Sequence, residues 1–320
     1  MAGLFLCTLF REVMALGIIR NFKQRCKRVY FDIDTCREFF LRYMDSIAGK
    51  FLGKTTRFYG KAHARRMSAI FTQGDVYQIR DAKLPALTGE DAILFWEFIF
   101  EGSFGSYVWC NDDYSEETFN FCNACLNEGP YGLMNDKVSA TVQPGDIVID
   151  AGSWIGDFAA YASVKGATVY AFEPTDTTFE NLKRTAELNG NIIPVKKGLS
   201  DEKTHAHFFV NTVGNSGANR IDASSGDFTE APSGIDTITL DDFVRENNLP
   251  RVDFIKADIE GFERHMLAGA QETLARFAPK LALCTYHLPD DPEVMARLIL
   301  QANPRYNIVQ KRCKLFASVL

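Results

Sequence analysis

The sequence has no surplus of positive charge: 35 lysines and arginines are outnumbered by 41 aspartates and glutamates, for a net charge of −6. A surface built mainly to neutralise phosphates has the opposite sign, so no nucleic-acid partner is expected. Cysteine is scarce as well. Eight residues, at positions 7, 26, 36, 110, 122, 125, 284 and 313, are scattered over 320 and form no compact disulfide framework. That excludes a small bridged secreted scaffold and reads as reduced thiols in the cytoplasm. No uninterrupted apolar run reaches the roughly 20 residues of a membrane span. The greasy N-terminal stretch is broken by Arg11 and Glu12 and has no basic residue before its apolar part. A membrane span and a signal peptide are therefore not expected, and an amphipathic surface helix is the remaining alternative to ordinary packing. Internal repeats and low-complexity tracts are also missing. What is there is a globular composition, 46% hydrophobic and 24% charged, in a chain long enough for one large domain or two modest ones.

The character of the sequence changes near residue 140. Before it, the pattern is uneven and aromatic-rich, with helices expected from about Thr88 to Phe100 and from Ser115 to Asn127. In the second of these, Phe119, Cys122, Cys125 and Leu126 recur at the spacing of a buried helical stripe. Cys122 and Cys125 also spell a CxxC, but no second Cys or His pair follows to complete a zinc site. We divide the chain into residues 1–135, a mainly helical region of unassigned role, and residues 136–320, a second domain. After residue 144, short β-branched runs alternate with helix-length segments. IVIDAG (147–152), ATVYAF (167–172), NIIPVKK (191–197), VDFIKADIE (252–260) and KLALCTYH (280–287) read as strands. Such alternation predicts an α/β fold whose mostly parallel sheet is covered by helices on both faces. HAHFFVN (205–211) alternates like an extra hairpin strand, and the Gly/Ser/Asn/Asp-rich stretch from Thr212 to Gly234 reads as a loop at the sheet edge or over a site.

The first chemical motif is Asp150-Ala151-Gly152-Ser153-Trp154-Ile155-Gly156, where a hydrophobic strand turns into a helix. Glycines there let backbone and ligand approach closely at the carboxyl end of the sheet, where open α/β folds bind. The spacing is GxxxG, and Trp154 stands where a dinucleotide fold needs its second glycine, which speaks against a nicotinamide-dependent oxidoreductase. Asp150 either faces a ligand's ammonium group or holds the turn. About twenty residues on, Glu173 ends the second strand, where a carboxylate accepts hydrogen bonds from both ribose hydroxyls of an adenosine. The third strand leads to Lys197-Gly198-Leu199-Ser200-Asp201, where Leu199 is positioned to flank adenine.

In this order, DAGSWIGDF, VYAFEP, GLSD, ITLDDF (238–243) and VDFIKADIEGFERHMLAGA (252–270) resemble the FkbM family of methyltransferases, over about half of the chain from residue 140 to 312. The KxDxEGxExxxLxGA segment is the most specific element. The resemblance implies a class I methyltransferase fold, S-adenosylmethionine as methyl donor and a hydroxyl acceptor on a sugar, glycan or secondary metabolite. By position, Asp150, Gly152, Gly156 and Glu173 match the family's cofactor motifs, and Asp258 and Glu260 match its acidic pair; Ser153 in the turn and Leu199 complete the cofactor-binding candidates. Thr285-Tyr286-His287-Leu288-Pro289-Asp290-Asp291 resembles the fifth-strand end in part of this family. The first 130 residues carry no resemblance.

Read as strand, Lys256, Asp258 and Glu260 share one face. Methyl transfer from a sulfonium is an in-line displacement, and an alkyl hydroxyl becomes a good nucleophile only when it is relieved of its proton. His287, Asp258 and Glu260 are the catalytic candidates, with His287 the favoured base because its unperturbed pKa lies near working pH. A hard cation such as magnesium bound by Asp258, Glu260 and Asp290 is the alternative. His205 and His207 lack a third ligand nearby and read as solvated edge residues, and His63 belongs to a basic solvated stretch. A non-catalytic module that keeps the cofactor pocket or only the fold is the competing class. The acceptor is expected to be a small molecule or glycan, and the N-terminal region leaves room for a homodimer contact.

Overall fold

A computed structural model of the chain describes residues 70–87, 112–125, 130–211, 228–231 and 233–320. Its centre is a seven-stranded sheet: β1 (Ile147–Ala151), β2 (Thr168–Phe172), β3 (Ile192–Val195), β4 (Phe254–Ala257), β5 (Lys280–Cys284), β6 (Asn307–Lys311) and β7 (Lys314–Ser318). The spatial order is β6-β7-β5-β4-β1-β2-β3. The run from β5 to β3 is parallel, and β7 runs antiparallel to both β5 and β6. This is the topology of class I methyltransferases. All five predicted strands are present; the β6–β7 hairpin was not foreseen.

The strands read as nearly continuous apolar runs because both sheet faces are buried. On one face Val148, Val169, Phe254 and Ala282 pack with Phe158 of α1 (Asp157–Val164) and Leu182 of α2 (Asp176–Asn189). On the other, Ile149, Ile255, Leu281 and Leu283 pack with α3 (Leu240–Glu246), α4 (Glu263–Ala268), α5 (Gln271–Phe277) and α6 (Asp291–Ala302). The Thr239 hydroxyl caps α3 by accepting from Asp242 N at 3.0 Å, and Pro292 sits in the first turn of α6, where its missing N–H costs nothing.

Of residues 1–135, the described part holds the helix Glu116–Cys125 and an antiparallel meander of the strands Ile70–Gln73, Val76–Ile79 and Ala82–Pro85. The meander lies on α1 and α2. Asn189 fastens it by accepting from Lys83 N at 2.8 Å and donating to Lys83 O at 2.6 Å. Phe119 is fully buried, edge-on to Phe316 at 5.3 Å, as its place in the helical stripe predicts. The side chains of Cys122 and Cys125, the helix expected at 88–100, His63 and most of the loop expected between Thr212 and Gly234 lie outside the described residues. Residue 135 falls in the turn of a short ribbon pairing Leu133–Met134 with Ser139–Ala140. The 205–211 segment forms two short strands: His205–Ala206 pairs with Ile235–Asp236, and Phe209–Asn211 with Phe228–Glu230. His205 meets Asp236 at 2.8 Å and His207 pairs with Glu230, so the two exposed histidines go to separate carboxylates. No helix among the described residues is long and apolar enough to cross a membrane.

Candidate active site

The carboxyl ends of β1, β2, β4 and β5 gather the predicted site residues. After β1 the backbone turns through left-handed conformations at Gly152 (φ 73°), Trp154 (φ 48°) and Gly156 (φ 87°). The amides of Gly152 and Ser153 both donate to Phe172 O, at 3.1 and 2.9 Å, and the Ser153 hydroxyl donates back to Asp150 O. The glycines are required by the protein's own packing. A Cβ on Gly152 would lie 1.9 Å from the Asp258 carbonyl oxygen, and one on Gly156 would lie 2.7 Å from Leu182 Cδ1.

Glu173 is buried beside this turn. Its Oε2 accepts from Trp154 N at 3.1 Å, and its Oε1 accepts from Thr175 N at 2.9 Å and the Thr178 hydroxyl at 2.8 Å. Burial raises its pKa against the lowering effect of these donors. The carboxylate is held rigidly between the glycine turn and the start of α2, with acceptor capacity left on Oε2.

Asp150 has a structural partner at the turn. Register sets it directly opposite Lys256 across the β1–β4 pair. Its carboxylate is fully buried and lies 3.2 Å from the Lys256 ammonium, which donates to Gly152 O at 2.6 Å. Burial works against the ammonium, but the carboxylates of Asp150, Asp258 and Asp157 outweigh it and raise its pKa. Asp150 and Lys256 thus clamp the strand end. Leu199 is 2% exposed and packs in the second core with Phe172 and Ile238.

Asp258, Glu260 and His287 come together, though not by strand alternation. β4 ends at Ala257, and Glu260 (φ 55°) and Gly261 (φ 99°) turn the chain back. The expectation that Lys256, Asp258 and Glu260 share one strand face is corrected accordingly: a tight turn delivers the two carboxylates to one point. His287 Nε2 lies 3.5 Å from Glu260 Oε2 and 3.8 Å from Asp258 Oδ1, and its Nδ1 is 3.1 Å from Glu263 Oε1. Despite burial, Glu260, Glu263 and Asp258 push the imidazole up to about 11. The surrounding carboxylates thus favour the protonated ring as long as nothing else occupies the cluster. Burial raises Glu260. Burial would also raise Asp258, but Lys256, His287, the Tyr131 hydroxyl and Lys314 hold it below the usual carboxylate range. Asp290 is elsewhere: it is exposed and paired with Arg264 at 2.8 Å, which removes it from the cation set named from the sequence.

Three further site residues were not singled out from the sequence. Tyr131 donates to Asp258 Oδ2 at 2.5 Å from 127 positions away, a distance no local motif spans. Tyr286 donates to Asp258 Oδ1 at 3.1 Å. Glu263, fully buried, accepts from the amides of Ile259 and Gly261 at 2.8 and 3.0 Å. An acid in the first turn of a helix, three residues after Glu260, was the signal that could have found it.

Residues 150–306 match the methyltransferase FkbM domain. Hexuronic acid methyltransferase AglP from Haloferax volcanii is 30% identical over 158 residues, 49% of this chain and 62% of that protein. The 31-O-demethyl-FK506 methyltransferase FkbM from Streptomyces tacrolimicus is 25% identical over 160 residues, 41% of this chain and 62% of that protein. The chain thus spans less than two thirds of either relative. The crystal structure of methyltransferase FkbM from Methylobacillus flagellatus KT aligns with a TM-score of 0.42 at 20% identity, covering 72% of this chain and 55% of that one. Residues 150–306, just under half of the chain, are thus similar to the FkbM methyltransferase domain.

Proposed function

We propose that the protein is an S-adenosylmethionine-dependent methyltransferase that methylates a hydroxyl group, on a sugar, glycan or secondary metabolite. The observation that carries this reading is adjacency. The glycine turn with its buried Glu173 and the Asp258–Glu260–His287 cluster occupy neighbouring strand ends, linked by the close approach of Gly152 to the Asp258 carbonyl. The similarity of residues 150–306 to the FkbM methyltransferase domain and the sugar named for the Haloferax relative support the same reading.

Glu173 would bind the ribose hydroxyls through the free acceptor sites of its fixed carboxylate. The turn at Gly152–Gly156 would line the methionine portion. The acceptor oxygen would attack the methyl carbon in line with the breaking C–S bond, whose electron pair remains on sulfur as S-adenosylhomocysteine forms. The hydroxyl proton would leave to the Asp258–Glu260–His287 cluster, which Tyr131 and Tyr286 hold in position. Because Tyr131 belongs to the segment before residue 136, we also assign residues 1–135 a part in shaping the acceptor side.

Calorimetry with S-adenosylmethionine, S-adenosylhomocysteine and NAD, followed by transfer of labelled methyl to fractionated glycans and hexuronic acids, tests the reading. Binding of the two adenosyl ligands and methyl incorporation into a hydroxyl are expected. Stabilisation by NAD alone, or no binding of either adenosyl ligand, would overturn it.

A further inference from the structure

Asp258, Glu260 and His287 each offer one ligand atom, and these three atoms lie within 4.8 Å of one another. Among the described residues no other three such side chains gather so closely. Donors about 2.1 Å from a common cation stand about 3 Å apart when adjacent and about 4.2 Å apart when opposite. The separations of 3.5 and 3.8 Å between His287 Nε2 and the two carboxylates fall in that interval.

We propose that this cluster binds a divalent cation through one carboxylate oxygen each of Asp258 and Glu260 and through Nε2 of His287, its remaining positions open to the hydroxyl acceptor. This deepens the methyltransferase reading and rests on it for the acceptor. The His287 side chain is only 8% exposed, and among the described residues neither Nε2, which faces both carboxylates, nor Nδ1 makes a hydrogen bond of ordinary geometry. Behind it, Nδ1 stands 3.1 Å from Glu263 Oε1, and Glu263 is itself fixed by the amides of Ile259 and Gly261. A carboxylate behind a histidine, itself anchored, is the arrangement that sets the tautomer and orientation of a metal-ligating imidazole. Asp258 is oriented from both sides by the Tyr131 and Tyr286 hydroxyls. Two carboxylates and one imidazole suit a divalent cation such as Mn²⁺. Bound there, it would acidify a coordinated hydroxyl. With the cation bound, the cluster would act through it and no longer take the proton itself, which would leave to solvent while the oxygen bonds the methyl carbon and the C–S electron pair stays on sulfur.

The test is Mn²⁺ titration of the metal-stripped full-length protein, followed by loss of the free-ion electron paramagnetic resonance signal. One site per chain is expected in the wild type. Asp258→Asn and His287→Ala should weaken it roughly tenfold or more, and Glu263→Gln by about 10–100-fold. Asp290→Ala, at the exposed carboxylate paired with Arg264, should bind like the wild type. Circular dichroism identifies any unfolded variant, in which case Glu260→Gln replaces it. No stoichiometric binding by the wild type at millimolar Mn²⁺ would overturn the proposal. So would binding unchanged in folded Asp258→Asn and His287→Ala, or lost equally in Asp290→Ala. Calorimetry with S-adenosylmethionine on the same samples keeps the two readings apart: Mn²⁺ binding without cofactor binding sinks the methyltransferase reading alone.

Discussion

Replacing Lys256 by methionine should be among the most damaging single changes in the sheet. The ammonium is 5% exposed and stands 3.2 Å from a carboxylate with no exposure at all. At an effective dielectric of about 20, opposite charges at that separation attract by about 5 kcal/mol. Among the described residues neither Asp150 oxygen has a hydrogen-bond partner, so the variant leaves a buried carboxylate uncompensated. The Gly152 carbonyl also loses its donor. Breaking a buried pair from one side costs about 3–5 kcal/mol, whereas replacing both partners by apolar residues is nearly neutral. Urea unfolding of Lys256→Met should therefore show that loss with an unchanged slope, and the melting temperature should fall by about 6–20 °C, at about 2–4 °C per kcal/mol. The double variant Asp150→Leu/Lys256→Met should recover most of the loss. A single variant within about 1 kcal/mol of wild type, or a double variant worse than the single, would refute the clamp.

Gly152→Ala should lower thermal stability, because a Cβ would strike the Asp258 carbonyl at 1.9 Å and φ is 73°; the left-handed backbone alone costs about 1–2 kcal/mol, and a melting temperature equal to wild type would show that the two strand ends are not in contact. Glu173→Ala should weaken S-adenosylmethionine binding by about 1–3 kcal/mol in calorimetry; an unchanged affinity would take Glu173 out of the pocket. A chain starting at residue 135 removes the meander, with buried Tyr77, Ile79 and Leu84, and the Tyr131 contact to Asp258. It should unfold at lower denaturant concentration than the full chain, and equal midpoints would show that the meander contributes nothing to the domain.

Much of the sheet was legible in the amino-acid order because its determinants are local. Five short apolar-rich runs, each closed by a turn or helix start, announce parallel strands whatever surrounds them, and the glycines at 152 and 156 mark positions of positive φ in advance. The roster of Asp150, Glu173, Asp258, Glu260 and His287 was legible for the same reason: charged side chains at the ends of apolar strands stand out from their neighbours. Their partners were not. Asp150 meets Lys256 because parallel register sets those two residues opposite one another, and register belongs to a pair of strands, not to either one. Glu260 reaches His287 through a turn that a period-two reading continues as strand, and Tyr131 reaches Asp258 across 127 residues. The β6–β7 hairpin reverses at Arg312 (φ 49°), a residue that advertises no turn. Packing alone decided that Leu199 enters the core and that Asp290 pairs with Arg264, since both outcomes depend on which distant side chain arrives within contact distance.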